Sequence, residues 1–317
     1  MGWHNSGGRA PALAAALGFE IHYFGAGSTR RIGPAAFRYV RSTVRTIALL
    51  RRRRPDLVVI TNPPIFAALA VYLGQLRYGG RFVIDSHTGA FVDGRWRVFL
   101  FLHRFLSRRA FRTVVHNSAQ ASVVDSWGVE WLQLGYVPIE MPHDGALAVR
   151  RERPYVLAAC AGAVDEPLDA IAEAARSLPE LDILLSGRVE RLRQHLSVEL
   201  PPNVQLLGYL DFERYLAHVH GARAVLALTT RAGTLVNGGF EAIAARRPLV
   251  TSDTEVLREY FDRGTVHTGS TAPEIADAIA DSVARAPQLE HEMGELAGHY
   301  EAIWQQALPV LQPRAMA

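Results

Sequence analysis

The chain has 317 residues, 49% hydrophobic and 21% charged, which is the balance of an ordinary globular protein with room for two domains at about 100–200 residues each. That composition excludes a disordered tail, a collagen-like fibre and a coiled coil, and a lone cysteine, Cys160, excludes an intramolecular disulfide framework and a multi-cysteine zinc site. The net charge is only +3, yet most of the 34 basic residues, all arginine, lie early in the chain. Arg51 to Arg54 run unbroken, and Arg95, Arg97, Arg104, Arg108, Arg109 and Arg112 crowd a second stretch, whereas most acids follow about Asp165. This asymmetry points to an anionic partner for the first half: a membrane surface, a phosphate-bearing substrate or nucleic acid. The plain alternative is a solvated, arginine-rich surface. The longest apolar run, Ile65 to Leu76, falls well short of the roughly 20 residues that span a bilayer. The first residues lack the charged and apolar regions of a signal peptide, so the expected location is the cytoplasm.

Along the chain, short apolar runs alternate with longer helical patterns. Glu20–Phe24 reads as a strand and Phe37–Arg53 as a helix ending at Pro55. Leu57–Thr61 is a β-branched strand, followed by the turn Asn62-Pro63-Pro64 and a helix through Leu76; Arg81–Asp85 and Thr113–His116 are further strands. The alternation pauses between Pro138 and Arg153, read as a linker. It resumes with strands at Tyr155–Ala159, Leu181–Leu185, Val204–Leu207, Ala224–Leu228 and Pro248–Thr251, and helices at Pro167–Ser177, Phe212–His220 and Gly239–Ala245. Strand, loop and helix repeated in this way predict two consecutive doubly wound α/β domains with parallel sheets. Ligands in such sheets bind at the carboxyl ends of the strands. One feature is odd, because only Met1-Gly2-Trp3 precedes the glycine turn where a first strand is expected. Either that strand is very short or the chain begins later than its relatives do.

Leu228–Phe261 is the most informative stretch. A buried strand ends at Thr229-Thr230, a loop of small residues follows, and a helix begins near Gly238-Gly239 with Glu241 in its first turn. Free amides at a helix start bind phosphate, glycines admit a ligand close to the backbone, and a carboxylate one turn in can accept from sugar hydroxyls. A plainer role for Glu241 is that of a favourable helix-dipole partner. Ser6, Gly7 and Gly8 are candidates to line a cleft from the first domain, or simply start a helix. Trp96–Phe111 mixes aromatic, leucine and arginine residues as an interfacial helix does, or as a buried helix fringed by arginines does. No metal is expected: the twelve histidines do not cluster at ligand spacing with cysteine or carboxylates along the chain. There is no Gly-x-Ser-x-Gly elbow and no Gly-Lys-Ser/Thr phosphate loop.

The Leu228–Phe261 stretch resembles the donor-binding segment of glycosyltransferases with the glycosyltransferase-B fold, in particular the retaining family 4. In that family two glutamates separated by seven residues flank the loop, and the second opens a helix ending in Gly-Lys-Pro-Val. Glu241 matches the second glutamate, and Arg247-Pro248-Leu249-Val250 matches the helix end and following strand. Leu207-Gly208-Tyr209 before Phe212–His220, Leu184–Arg188 with its Gly187, and Phe82–Phe91 with His87 resemble further family elements, so the likeness covers most of the chain. Two departures stand out. Gly233 occupies the first glutamate's position, and the loop Ala161–Pro167 lacks the cations that usually clamp the diphosphate. Arg231 or Arg188 would have to supply that charge.

The resemblance implies two Rossmann-like doubly wound parallel-sheet domains facing a cleft. The first, 1–145, would take the acceptor, with a C-terminal helix at 300–317 packing back on it, and the second, 152–299, would bind the nucleotide-sugar. It implies transfer of a sugar from a nucleoside-diphosphate donor to a saccharide or lipid-linked acceptor, with no metal or other cofactor and with retained configuration. His87 would contact the donor sugar as the catalytic residue. Glu241, Arg231, Arg188, Gly187, Gly233, Thr234, Leu235, Gly238 and Gly239 would bind the donor. Residues 95–112 are a candidate contact with an anionic membrane, which would place the protein at the inner face of that membrane, and nucleic acid is not an expected partner. Two rivals are a nucleotide-sugar 2-epimerase of the same architecture and a non-catalytic nucleotide-sugar-binding subunit.

Overall fold

The structure, a computed structural model, describes residues 1–3, 10–24, 32–136, 138–139 and 148–311. The chain divides into two compact units, residues 1–137 with 302–317, and residues 138–301.

In the first unit four parallel strands lie in the order β1 (Leu57–Asn62), β2 (Arg81–Ser86), β3 (Arg112–Val115), β4 (Trp131–Gln133). Its helices are α1 (Ala10–Leu17), α2 (Ile32–Arg53), α3 (Ile65–Tyr78), the single turns α4 (Gly89–Val92) and α5 (Gly94–Arg97), α6 (Leu100–Ser107) and α7 (Ser118–Asp125). Successive residues of a strand face opposite sides, and here both sides are covered. Val58, Ile60, Phe82 and Ile84 pack with Leu50, Ala67, Val71 and Leu106 of α2, α3 and α6. Val83 and Val114 pack on the other face with Leu13 and Leu17 of α1 and with Trp304, Ala307 and Leu311, which recur at helical spacing.

Met1 and Gly2 supply a minimal first strand. The terminal amine donates to the Val59 carbonyl (2.6 Å) and the Met1 carbonyl accepts from Thr61 N–H (3.0 Å). Gly2 in turn pairs with His22 and Phe24. Burial lowers the Met1 ammonium pKa to about 6, against an opposing attraction from Asp85. Glu20–Phe24 does not form the expected strand. Among the described residues its pairing is the single bridge Gly2 to Tyr23. Trp96–Phe111 is not one helix either: Asp93 caps α5 by accepting from Arg95 N–H (3.0 Å), and the backbone turns at Phe99 before α6 begins.

The second unit holds six parallel strands: β5 (Tyr155–Ala158), β6 (Asp182–Ser186), β7 (Val204–Gly208), β8 (Ala224–Ala227), β9 (Leu249–Ser252) and β10 (Thr265–Thr268). Their order is β10-β9-β8-β5-β6-β7. The chain steps outward from β5 to β7 and then returns to the far side of β5 with β8. The loops after β5 and β8 therefore part in opposite directions and open a crevice at the carboxyl ends of those strands. The covering helices are α8 (Leu168–Ala174), continued by a 3-10 turn to Ser177, α9 (Val189–His195), α10 (Phe212–Gly221), α11 (Asn237–Ala245), α12 (Glu255–Tyr260), α13 (Ala272–Ala284) and α14 (Ala286–Leu311), whose residues from Ala302 on belong to the first unit. Val156, Ala158, Ile183, Leu185, Ala224, Leu226 and Val250 form one core face against α8 and α13. Among the described residues no helix is long and apolar enough to cross a membrane.

Candidate functional site

A cavity of about 450 Å³ lies in the second unit where the strand order reverses. It is walled by the loops that follow β5, β6, β7 and β8, a size suited to a small-molecule ligand. The start of α11 comes down close on the sheet because two of its residues have no side chain. A Cβ on Gly238 would lie 2.6 Å from the Ala159 Cβ and 3.0 Å from that of Ala227, and one on Gly239 would enter the Phe261 ring.

Glu241 falls in the second turn of α11, since that helix begins at Asn237. The plainer reading, a helix-dipole partner in the first turn, therefore does not hold; the carboxylate accepts a hydrogen bond from the Tyr215 hydroxyl of α10. Burial pushes the Glu241 carboxyl up from the ordinary carboxylate range, and the Tyr215 hydrogen bond opposes that. Burial and the neighbouring carboxylate push the Tyr215 phenol well up, so it stays a donor.

Of the residues expected to bind a donor, Glu241, Arg188, Gly187, Thr234 and Gly238 line this cavity. Arg231, Gly233, Leu235 and Gly239 are not in its wall. The Arg231 guanidinium instead meets Asp165 (3.6 Å), whose carboxylate also accepts from the Thr229 hydroxyl (2.7 Å). Sequence reading did not single out Tyr215, Arg191, Asp165 or Glu166, all of which line the cavity.

In the first unit His87 and His116 follow β2 and β3, and the parallel pairing of those strands, Asp85 opposite Val114, brings their carboxyl ends together. His116 Nε2 lies 3.0 Å from Asp85 Oδ1, and His87 Nε2 lies 3.4 Å from Asp85 Oδ2. The two imidazole rings meet edge to face at 4.5 Å. Asp85 and His116 are buried while the His87 side chain is about a third exposed, at 32%. Gln120 ties the two loops together: its amide donates to the Thr88 hydroxyl (2.8 Å) and its carbonyl accepts from His116 N–H (2.9 Å). The histidines do cluster with a carboxylate, in space though not along the chain. The ligand atoms of Asp85, His87 and His116 lie within 4.8 Å of one another, a set that could share a proton or hold a divalent cation. Ser6, Gly7 and Gly8 lie outside the described residues, as do residues 140–147 of the expected linker.

The first unit has a cavity of its own, about 260 Å³, which runs beside the Met1 amine along α1, the end of α2 and β1, and reaches Thr61 and Asp85.

Two family models match the chain: a glycosyl transferase 4-like domain over residues 3–139, and glycosyl transferases group 1 over residues 158–287. None of the curated protein sequences matches it. Among solved structures the fold is similar to sucrose-phosphate synthase from Thermosynechococcus elongatus, with 15% identity, TM-score 0.65, and 89% of this chain and 79% of that one covered. It is also similar to a UDP-forming α,α-trehalose-phosphate synthase from Burkholderia xenovorans (14%, 0.67, 91% and 81%). A third similar structure is Anabaena HepE in complex with UDP-glucose (14%, 0.65, 96% and 89%).

Proposed function

The chain belongs to the family 4-like glycosyltransferases with the glycosyltransferase-B fold, and from that premise we propose that its second unit binds a nucleoside-diphosphate sugar whose sugar is passed to a saccharide or lipid-linked acceptor. One observation carries the donor assignment. The cavity at the strand-order reversal holds a half-buried carboxylate, Glu241, steadied by Tyr215, within the same wall as two arginines. A carboxylate of this kind takes the ribose diol, and the arginines take the phosphates. In the reaction the bond from the anomeric carbon to the diphosphate oxygen breaks and a bond to the acceptor hydroxyl oxygen forms. The hydroxyl proton ends on the released diphosphate. Charge gathers on that leaving group, so cations and amides fixed in advance lower the barrier.

UDP is the first nucleotide to try, because the structurally similar trehalose-phosphate synthase is UDP-forming and HepE is held with UDP-glucose. Retention of configuration is the stereochemical course we assign. Contact with an anionic lipid surface through residues 95–112 is supported by Val98 and Phe101, both strongly exposed among arginines.

Thermal stabilisation by UDP, GDP, ADP and dTDP, each with and without its sugar, tests the donor. A ligand confined to the folded state adds about 2.7 kcal/mol at a hundred times Kd. A selective shift with one nucleotide is the expected result. The absence of any shift removes the donor assignment.

A further inference from the structure

The loop after β5 has no basic residue between Ala159 and Pro167, and the chain contains no lysine at all. The loop's amides do converge on an anion, but on one the protein supplies. Ala161 N–H donates to Glu166 Oε1 (2.8 Å), and Gly162 and Ala163 N–H donate to Oε2 (2.9 and 3.1 Å). The other acids of the cavity are engaged too, Asp165 by Thr229 and Arg231 and Glu241 by Tyr215. The basic side chains in the wall are Arg188 and Arg191. Neither forms an ion pair among the described residues.

Arg191 is held against the cation-free loop by a backbone requirement. Gly162 has φ +71°, and a Cβ there would lie 2.5 Å from the Arg191 Cβ and 2.9 Å from its carbonyl carbon. The loop and α9 can touch only because residue 162 has no side chain. Three residues earlier, the Arg188 guanidinium lies over the Tyr209 ring at 4.9 Å. Arg188 directly precedes α9 and Arg191 lies in its first turn, and both line the cavity, so the two guanidinium groups can address one ligand.

We propose that Arg191, with Arg188, is the anion clamp of this cavity and takes the diphosphate of the donor, replacing with the β6–α9 junction the charge that the β5 loop lacks. This rests on the donor reading above. A guanidinium suits the task, since its planar fork meets phosphate oxygens in pairs.

The test is calorimetric titration of the wild type, Arg191→Ala, Arg191→Lys and Arg188→Ala. The ligands are whichever of UDP, GDP, ADP and dTDP the wild type binds best, and the matching monophosphate. Arg191→Ala should weaken the diphosphate by about tenfold to a hundredfold, the range for a hydrogen bond to a charged group. It should weaken the monophosphate much less, with Arg191→Lys in between. Melting temperatures without ligand, equal across the set, exclude a folding defect, and Arg191→Lys keeps the aliphatic stem should the alanine variant fail to fold. Equal diphosphate affinity in wild type and Arg191→Ala overturns the clamp and leaves the donor reading standing. Parallel loss of monophosphate and diphosphate also overturns it, because Arg191 would then act on what the two share, the nucleoside and its first phosphate, and not on the diphosphate as such. A wild type that binds no nucleotide sinks the donor reading, and the clamp with it.

Discussion

The Tyr215 hydroxyl donates to Glu241 Oε2 from a neighbouring helix, although 26 residues separate the two in sequence. A buried carboxylate without a partner would take up a proton or turn away. The phenol fixes one oxygen and leaves the other for a ligand.

Glu241→Ala should therefore weaken nucleotide binding by about 1.5–3 kcal/mol, the range for a hydrogen bond to a charged group, while the protein stays folded. Tyr215→Phe should cost about 1 kcal/mol of the same affinity, because it loosens the carboxylate without removing it. Calorimetry and a melting curve on each variant suffice. Unchanged affinity in Glu241→Ala would take that residue out of the site.

His87 calls for a different readout. It is the exposed member of the Asp85–His87–His116 cluster, so its removal should lower the transfer rate by about a hundredfold, within the usual range for a group acting on the reacting centre. Affinity for the free nucleotide should stay within about twofold, since that binding is assigned to groups of the other unit. Equal losses of rate and affinity would mean that His87 only holds its loop.

Gly238 and Gly294 make a matched pair for stability. A side chain on Gly238 meets Ala159 and Ala227, so Gly238→Val should destabilise by about 1–3 kcal/mol and lift α11 off the cavity wall. Around Gly294, inside α14, nothing lies within 4 Å of an added Cβ, and Gly294→Ala should stabilise by about 0.5–1 kcal/mol. Denaturant melts of both variants check the signs. A neutral Gly238→Val would show that α11 does not depend on that close approach.

Much of the fold is legible in the sequence because a parallel sheet covered on both faces makes each strand a continuous apolar run, as in Leu57–Asn62 and Asp182–Ser186. Glu20–Phe24 has the same look, but a strand also needs a partner ladder, and among the described residues its pairing is the single bridge Gly2 to Tyr23. At the site, Glu241 could be found because its loop, helix and strand are contiguous. Tyr215 could not, since it sits in an ordinary amphipathic helix and gains meaning only when α10 and α11 pack side by side. His116 and Arg191 were hidden for the same reason. Strand pairing brings the one to Asp85, and the missing side chain of Gly162 brings the other to the β5 loop.

His103 should govern the acid limb of stability. It is buried on α6, with Nε2 2.9 Å from the Ser86 hydroxyl and 3.3 Å from the Asn62 amide nitrogen, and its ring is 5.2 Å from that of Phe91. Burial lowers its pKa to about 3, against about 6.5 in an unfolded chain. Because the folded value is the lower one, the unfolded state binds the extra proton between those limits. The stability it confers is thus complete above pH 6.5 and is lost as pH falls toward 3, at no more than about 1.4 kcal/mol per pH unit for one proton. Glutamine cannot titrate but can still bond Ser86, so His103→Gln should cost about 1–2 kcal/mol at pH 7.5. The gap between variant and wild type should then close by about pH 5 and reverse as the pH is brought toward 4, because the wild type alone loses about 1.4 kcal/mol per pH unit. Unfolding curves that stay parallel from pH 7.5 to 4 would show that the imidazole is not kept neutral by the fold.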